Sequence, residues 1–148
     1  MKYKIIMSVV LSLLVGCVTN PNMSLQARVD AYADYIEQQR LISQDKIRTF
    51  KYSGWRALSN NYLIISASPS RKYLIEVNGF CSNLYHAQII GVNQGMSSNL
   101  VTRFDSISVP ESPGVKCFIK SIYKVNKVQI KEISALGKID QQTSILEK

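Results

Sequence analysis

The chain is 148 residues long, which suits one folded domain and is too short for two of ordinary size. Apolar residues make up 46% and charged residues 19%, and this balance excludes a disordered or low-complexity protein. The net charge of +8 would attract anionic partners such as phospholipid headgroups, although ordinary solvated lysines produce the same value.

Residues 1–16 are predicted to be a signal peptide. Lys2 and Lys4 precede an apolar run over residues 5–15, which is shorter than the roughly 20 residues that a transmembrane helix needs. A basic start followed by a short apolar run is typical of a secretory signal. Removal of the two lysines with this segment lowers the net charge of the mature chain from +8 to +6.

The end of this segment, Leu-Val-Gly-Cys at residues 14–17, resembles the lipobox of bacterial lipoproteins. The resemblance implies cleavage before Cys17, a diacylglycerol on its thiol and an acylated amino group. Several acyl chains anchor a protein to a bilayer far more firmly than one does. The alternative is an ordinary cleaved signal with an incidental cysteine.

Residues 17–23 are predicted to be a lipidated tether. Val18, rather than an aspartate, follows the cysteine, which resembles the sorting pattern of lipoproteins exported to the outer membrane, facing the periplasm. At full extension the tether spans only about 25 Å. We therefore expect the folded domain to sit close to the membrane.

Cys81 and Cys117 remain after Cys17 is lipidated, and an even number of cysteines in an exported chain predicts a disulfide. Two free thiols are the first alternative. A zinc site would need about four ligands, whereas these thiols and the single histidine, His86, supply three. A catalytic thiol at Cys81, assisted by His86, is a further alternative.

An amphipathic helix is predicted over residues 24–42, beginning near Ser24. Apolar residues recur there at helical spacing and polar residues fall mostly between them. The apolar positions are Leu25, Val29, Tyr32 and Ile36. The polar face is as acidic as it is basic, which favours packing on the domain over contact with a membrane.

The periodicity changes to that of strands after residue 46. Six short runs rich in β-branched and aromatic residues alternate with turn residues. These runs cover residues 47–50, 62–67, 73–77, 87–92, 104–109 and 117–125. The turn at residues 68–71 contains Pro69 and predicts an antiparallel hairpin between the second and third runs. Breaks near residues 91–99 and 110–114 predict loops.

A short C-terminal helix is predicted after the last strand. Asn126 and Gln129 have the spacing of a capping box, and Gly137 would close the helix. Its inward residues would be Ile130, Ile133 and Leu136. We favour a strand followed by a helix over one long basic helix from residue 117, since the residues before Asn126 are strong β-formers.

These elements predict one α+β domain over residues 24–137, followed by a flexible polar tail over residues 138–148. The expected architecture is a small curled antiparallel sheet or partial barrel of about five to six strands. An N-terminal helix, a short C-terminal helix and one disulfide complete it.

A group of residues in the middle of the chain resembles a family of small proteobacterial lipoproteins, domain of unknown function family 6491. The residues are Trp55, the pair Tyr73 and Leu74, Cys81 with Leu84, Asp105, and Cys117 followed by Ile119 and Ile122. The resemblance covers about residues 45–126. It implies that the two cysteines form a structural pair, and it implies no activity.

The sequence offers few groups for catalysis. His86 is the only histidine, and Asp105 either orients it or accepts backbone hydrogen bonds. No phosphate loop, nucleophile elbow or metal-ligand cluster is recognisable, so we expect neither an enzyme nor a cofactor. Because the basic residues are scattered and no nucleic-acid-binding motif appears, we expect no nucleic-acid partner.

Three functional hypotheses follow from these observations. The first is a non-enzymatic interaction or structural module of the cell envelope, with an envelope protein, peptidoglycan or lipopolysaccharide as partner. The second is a binding module for a small ligand or anionic polymer, with Trp55, Arg56, Arg71 and Lys72 on one concave face. The third is a thiol-dependent enzyme that uses Cys81 and His86.

Overall fold

The computed structural model describes residues 24–48, 51–96 and 98–137. The predicted signal peptide, the tether and the polar tail lie outside these residues, and so does Cys17.

Two helices, nine short strands and one 3-10 turn form the described domain. The helices are α1 (Leu25–Gln38) and α2 (Lys127–Leu136), and the 3-10 turn is Leu84–His86. The strands are β1 (Ser43–Gln44), β2 (Lys46–Arg48), β3 (Gly54–Ala57), β4 (Tyr62–Ser66), β5 (Lys72–Val77), β6 (Gly91–Asn93), β7 (Asn99–Val101), β8 (Ser106–Ser108) and β9 (Lys116–Val125).

Six strands form a continuous antiparallel sheet in the order β3-β4-β5-β9-β8-β6, and β1 pairs separately with β9. Strands β2 and β7 form a second, two-stranded sheet. The register of β5 on β9 shifts between Glu76 and Val77, and such an irregularity bends the bulged strand. The predicted fold class, a curled antiparallel sheet with an N-terminal and a C-terminal helix, is confirmed.

Both faces of the sheet are buried, each by a separate cluster of apolar side chains. The first core lies on the face away from the helices and includes Leu63, Ile65, Ile119 and the two cysteines. The second core lies between the sheet and the helices and includes Tyr62, Ile64, Tyr32, Tyr35 and Ile133. This arrangement explains why β4 is continuously apolar, because its alternate residues enter opposite cores.

Helix α1 begins as predicted, with the Ser24 side chain accepting a hydrogen bond from the Ala27 amide at 3.1 Å. It ends at Gln38 rather than at residue 42, so the predicted end was wrong. Arg40 has a φ of 49°, and the Arg40 and Leu41 amides donate to the Glu37 and Ile36 carbonyls. These paired bonds form a Schellman motif, which turns the chain out of the helix.

Helix α2 has the predicted capping box. The Asn126 side chain accepts from the Val128 and Gln129 amides, and the Gln129 side chain accepts from the Asn126 amide. Gly137 follows the helix as its C-terminal cap, with an ordinary negative φ of −78°. A Cβ at Gly137 would lie 2.8 Å from the Tyr32 hydroxyl, so the position requires glycine for close packing rather than for a turn.

Three parts of the strand prediction are wrong. Of the run predicted over residues 87–92, only Gly91–Asn93 forms a strand, after a 3-10 turn at Leu84–His86. The sequence predicts a loop around residues 91–99, but Asn99–Val101 pairs with β2. The prediction also missed Gly54–Ala57, which pairs with β4. These segments are too short for a recognisable period, so their partners decide their structure.

The disulfide between Cys81 and Cys117 joins the loop after β5 to β9, with 5.6 Å between the two Cα atoms. Both cysteines are buried in the first core. The prediction of one disulfide is therefore confirmed.

Replacing both cysteines with alanine is expected to lower the free energy of unfolding by about 3 to 4 kcal/mol, because the unfolded chain loses the constraint of a 36-residue loop. Urea denaturation followed by circular dichroism measures the effect. Reduction of the wild-type protein is the control and should give a similar loss. Equal urea midpoints for the oxidised wild type and the double variant would contradict a stabilising role.

Candidate functional site

The four residues predicted to share a ligand face do not lie together. Trp55 pairs with Ile65 and contacts the first core, whereas Arg56 points to the opposite face. Arg71 is exposed in the hairpin turn, and Lys72 lies two strands away from Arg56. The predicted concave face is therefore not formed, because neighbouring residues of a strand project to opposite sides of the sheet.

The residues of the predicted thiol enzyme also lack the required arrangement. The sulfur of Cys81 is bonded to Cys117, and Cys81 is fully buried, so it is not a thiolate nucleophile. His86 is exposed at the end of the 3-10 turn, with its ring 4.9 Å from that of Tyr85 in an edge-on contact. The third hypothesis thus has no nucleophile in the oxidised chain.

Asp105 organises the loop between β6 and β8. Its buried carboxylate accepts from the Gly95 amide at 2.9 Å and from the Val101 amide at 2.6 Å. The alternative in which Asp105 accepts backbone hydrogen bonds is therefore confirmed. Burial and the nearby Asp105 charge raise the pKa of the Tyr52 phenol to about 12, and that phenol accepts a hydrogen bond from Gln94.

A cavity of about 140 Å³ lies where α1, β3, the 3-10 turn and the end of α2 meet. We call it the basic cavity, because the polar residues that line it in the described part of the chain are two arginines, two tyrosines and a serine, with no acidic residue among them. The lining residues are Arg28, Tyr32, Arg56, Ala57, Leu58, Tyr85, Ser134 and Gly137.

Hydrogen bonds hold both guanidinium groups at the edge of the basic cavity. Arg28 Nη1 donates to the Tyr85 hydroxyl at 2.6 Å, and the guanidinium carbon of Arg28 lies 5.2 Å from the centre of the Tyr85 ring. Arg56 Nη2 donates to Ser134 Oγ at 2.5 Å. Since the Ser134 hydroxyl donates to the Ile130 carbonyl, its oxygen is oriented to accept from Arg56.

The turn between β3 and β4 fixes the position of Tyr85. The buried Asn60 accepts from the Tyr85 amide through its side-chain oxygen at 3.0 Å, and its carbonyl accepts from the Cys81 amide at 3.0 Å. Ser59 in turn caps the amides of Asn61 and Tyr62. The disulfide loop and the basic cavity are therefore parts of one hydrogen-bonded frame.

Sequence reasoning found Arg56 but missed Arg28, Tyr85 and Ser134. These residues come from segments far apart in the sequence, and no motif or spacing links them. Arg28 lies on the polar side of the predicted helix, where an arginine is normally solvated. Only the packing of α1 and α2 on the same face of the sheet brings them together.

A wider groove of about 590 Å³ borders β9 and includes Arg103, Phe118 and Lys120. Lys120 is bound to Glu76 at 2.7 Å, and this contact raises the pKa of the Lys120 ammonium group. The Glu76 carboxylate therefore partly neutralises the positive charge of this groove.

The described part of the chain lacks two features that would point to a particular function. No group of three or more metal-ligating side chains occurs there. No described helix combines the length and apolar character that crossing a membrane requires.

Replacing Asp105 with asparagine is expected to lower the free energy of unfolding by about 1 to 3 kcal/mol, because an amide cannot accept both backbone hydrogen bonds and the charge is lost. Urea denaturation would measure this loss. The exposed Glu111→Gln variant removes a carboxylate elsewhere and should leave stability nearly unchanged. Equal stability of the two variants would show that Asp105 does not hold this loop.

Comparison with known proteins identifies the family but no activity. No curated protein and no solved structure matches the chain. One family model, Family of unknown function (DUF6491), matches residues 1–137. The match extends beyond the expected residues 45–126 and includes α1, whereas residues 138–148 lie outside it. The chain therefore belongs to the family of unknown function DUF6491.

Proposed function

We propose that this protein is a lipid-anchored component of the bacterial cell envelope whose domain acts as a non-enzymatic interaction module. The observation that carries the proposal is the buried disulfide between Cys81 and Cys117. Such bonds persist in oxidising compartments and are rare in the cytosol. A domain built around this disulfide is therefore suited to an exported protein.

The N-terminal sequence supports the same conclusion independently. Residues 14–17 resemble a lipobox, and the family match over residues 1–137 includes them. Lipidation of Cys17 would attach the domain through a short tether that spans about 25 Å at most. The proposed location is the periplasmic side of the outer membrane.

A second candidate function is favoured by the basic cavity. Its two arginines suit an anionic ligand, so a binding module for a small ligand or an anionic polymer such as peptidoglycan or lipopolysaccharide is a specific form of the same proposal. The residues that would carry it are Arg28, Arg56 and Tyr85, and of these only Arg56 belongs to the face suggested by the sequence.

Intact-mass analysis of the membrane-extracted protein under non-reducing conditions tests the anchor, the cleavage and the disulfide together. We expect a species that lacks residues 1–16 and carries diacylglycerol and acyl groups at Cys17. Its Cys81 and Cys117 should resist thiol alkylation until they are reduced. The wild-type protein should remain with membranes after a high-salt wash, because lipid anchoring does not depend on ionic contacts.

The matched control is Cys17→Ser, which keeps the leader but removes the acceptor sulfur. This variant should accumulate with the leader attached and without added lipid. A native protein that retains Met1, dissolves without detergent and has two reactive thiols would disprove the proposed export and anchoring.

A further inference from the structure

We propose that the basic cavity is a binding site for a single phosphate group. This inference rests on the second candidate function, anion binding in the basic cavity, and names the chemical group that is bound; it does not depend on the proposed anchor. Arg28 and Arg56 come from α1 and β3 and reach the same cavity of about 140 Å³. Guanidinium groups match phosphate oxygens with pairs of parallel hydrogen bonds, so two of them converging on one cavity favour this ligand.

The surrounding hydroxyl groups complete a set of donors. Tyr85 uses its oxygen to accept from Arg28, which leaves its phenolic proton to donate into the cavity. Ser134 and Asn60 position Arg56 and Tyr85 before any ligand arrives. Donors held in place in advance lose little conformational entropy when an anion binds.

The volume of the basic cavity is sufficient for one small group. One water molecule needs roughly 15 Å³ by a comparable measure, whereas sites for drug-sized molecules occupy about 300 Å³ or more. A cavity of about 140 Å³ therefore holds a phosphate group and a few waters, while the rest of a larger molecule would remain outside.

The phosphate could be part of a membrane lipid or of a soluble phosphate ester. Arg28 lies about one helical turn after Ser24, the N-cap of α1, where the predicted tether enters the domain. One residue of the basic cavity therefore lies close in sequence to the proposed anchor. A lipid headgroup and a soluble ester present the same phosphate group to the cavity. Titration in the presence of a phospholipid distinguishes the two sources.

Titration of inorganic phosphate into the full chain, purified in a maltoside detergent and followed by calorimetry, tests the site. We expect saturable binding with one site per chain. Arg56→Gln should weaken the affinity about tenfold, since the charge and its paired hydrogen bonds are lost. Arg56→Lys keeps the positive charge and should therefore weaken the phosphate affinity less than Arg56→Gln does.

Arg71→Gln is the matched control, because it removes the same charge from the exposed hairpin turn outside the cavity. Its phosphate affinity should equal that of the wild type within about twofold. Equal weakening by Arg56→Gln and Arg71→Gln would show general charge attraction and overturn the proposal. Absence of saturable binding to the wild type would overturn it directly.

Tyr85→Phe provides a second test in case Arg56→Gln disturbs the docking of α2. This change removes one hydroxyl and the acceptor for Arg28 while preserving the ring. We expect weaker phosphate binding and a circular dichroism spectrum like that of the wild type. Unchanged affinity in this folded variant would count against the proposed donor set.

Repeating the titration in phosphatidylglycerol nanodiscs identifies the source of the phosphate. If lipid headgroups occupy the basic cavity, the apparent affinity for inorganic phosphate should fall relative to that in maltoside detergent. Equal affinities would support a soluble phosphate ester as the ligand. Failure of Cys17 lipidation would leave the titration in detergent unaffected, so the two proposals can fail separately.

Discussion

Both edges of β9 are hydrogen bonded, and the rest of the fold depends on this pairing. Its C-terminal half pairs with β5 on one edge and with β1 on the other, while its N-terminal half pairs with β8. Between these segments, the Ile119 carbonyl and amide bond to Arg103 and Asp105. A central strand with satisfied edges allows its side chains to fill both cores.

The disulfide extends this constraint to a loop that regular structure does not hold. Cys117 belongs to β9, and Cys81 begins the segment that leads into the 3-10 turn. Asn60 binds the same segment from the other side through the Cys81 and Tyr85 amides. The disulfide and the Asn60 hydrogen bonds together place Tyr85 beside Arg28. The same contacts that stabilise the loop therefore also shape the basic cavity.

The proposed anchor and the proposed phosphate site concern different parts of the chain. The first depends on the leader and Cys17, and the second on the docking of α1 and α2 against the sheet. A tether of a few residues would nevertheless place the cavity within reach of phospholipid headgroups. The two proposals are therefore physically compatible without depending on each other.

Local signals in the sequence determined the features that a short segment can encode alone. These are the hairpin of β4 and β5, the Ser24 cap, the capping box at Asn126 and the change from strand to helix at that residue. Cysteine parity also predicted the disulfide. The turn and the caps form through interactions between residues a few positions apart. The disulfide follows from the even number of cysteines that remain after Cys17 is lipidated.

Tertiary structure alone decided the short strands β3 and β7 and the composition of the basic cavity. Strands of three or four residues form because a neighbouring strand supplies their hydrogen bonds, and their own sequence carries no clear period. Arg28, Arg56 and Tyr85 meet because two helices and a loop pack around the same end of the sheet. This proximity depends on the tertiary path of the chain, and the spacing of these residues in the sequence does not predict it.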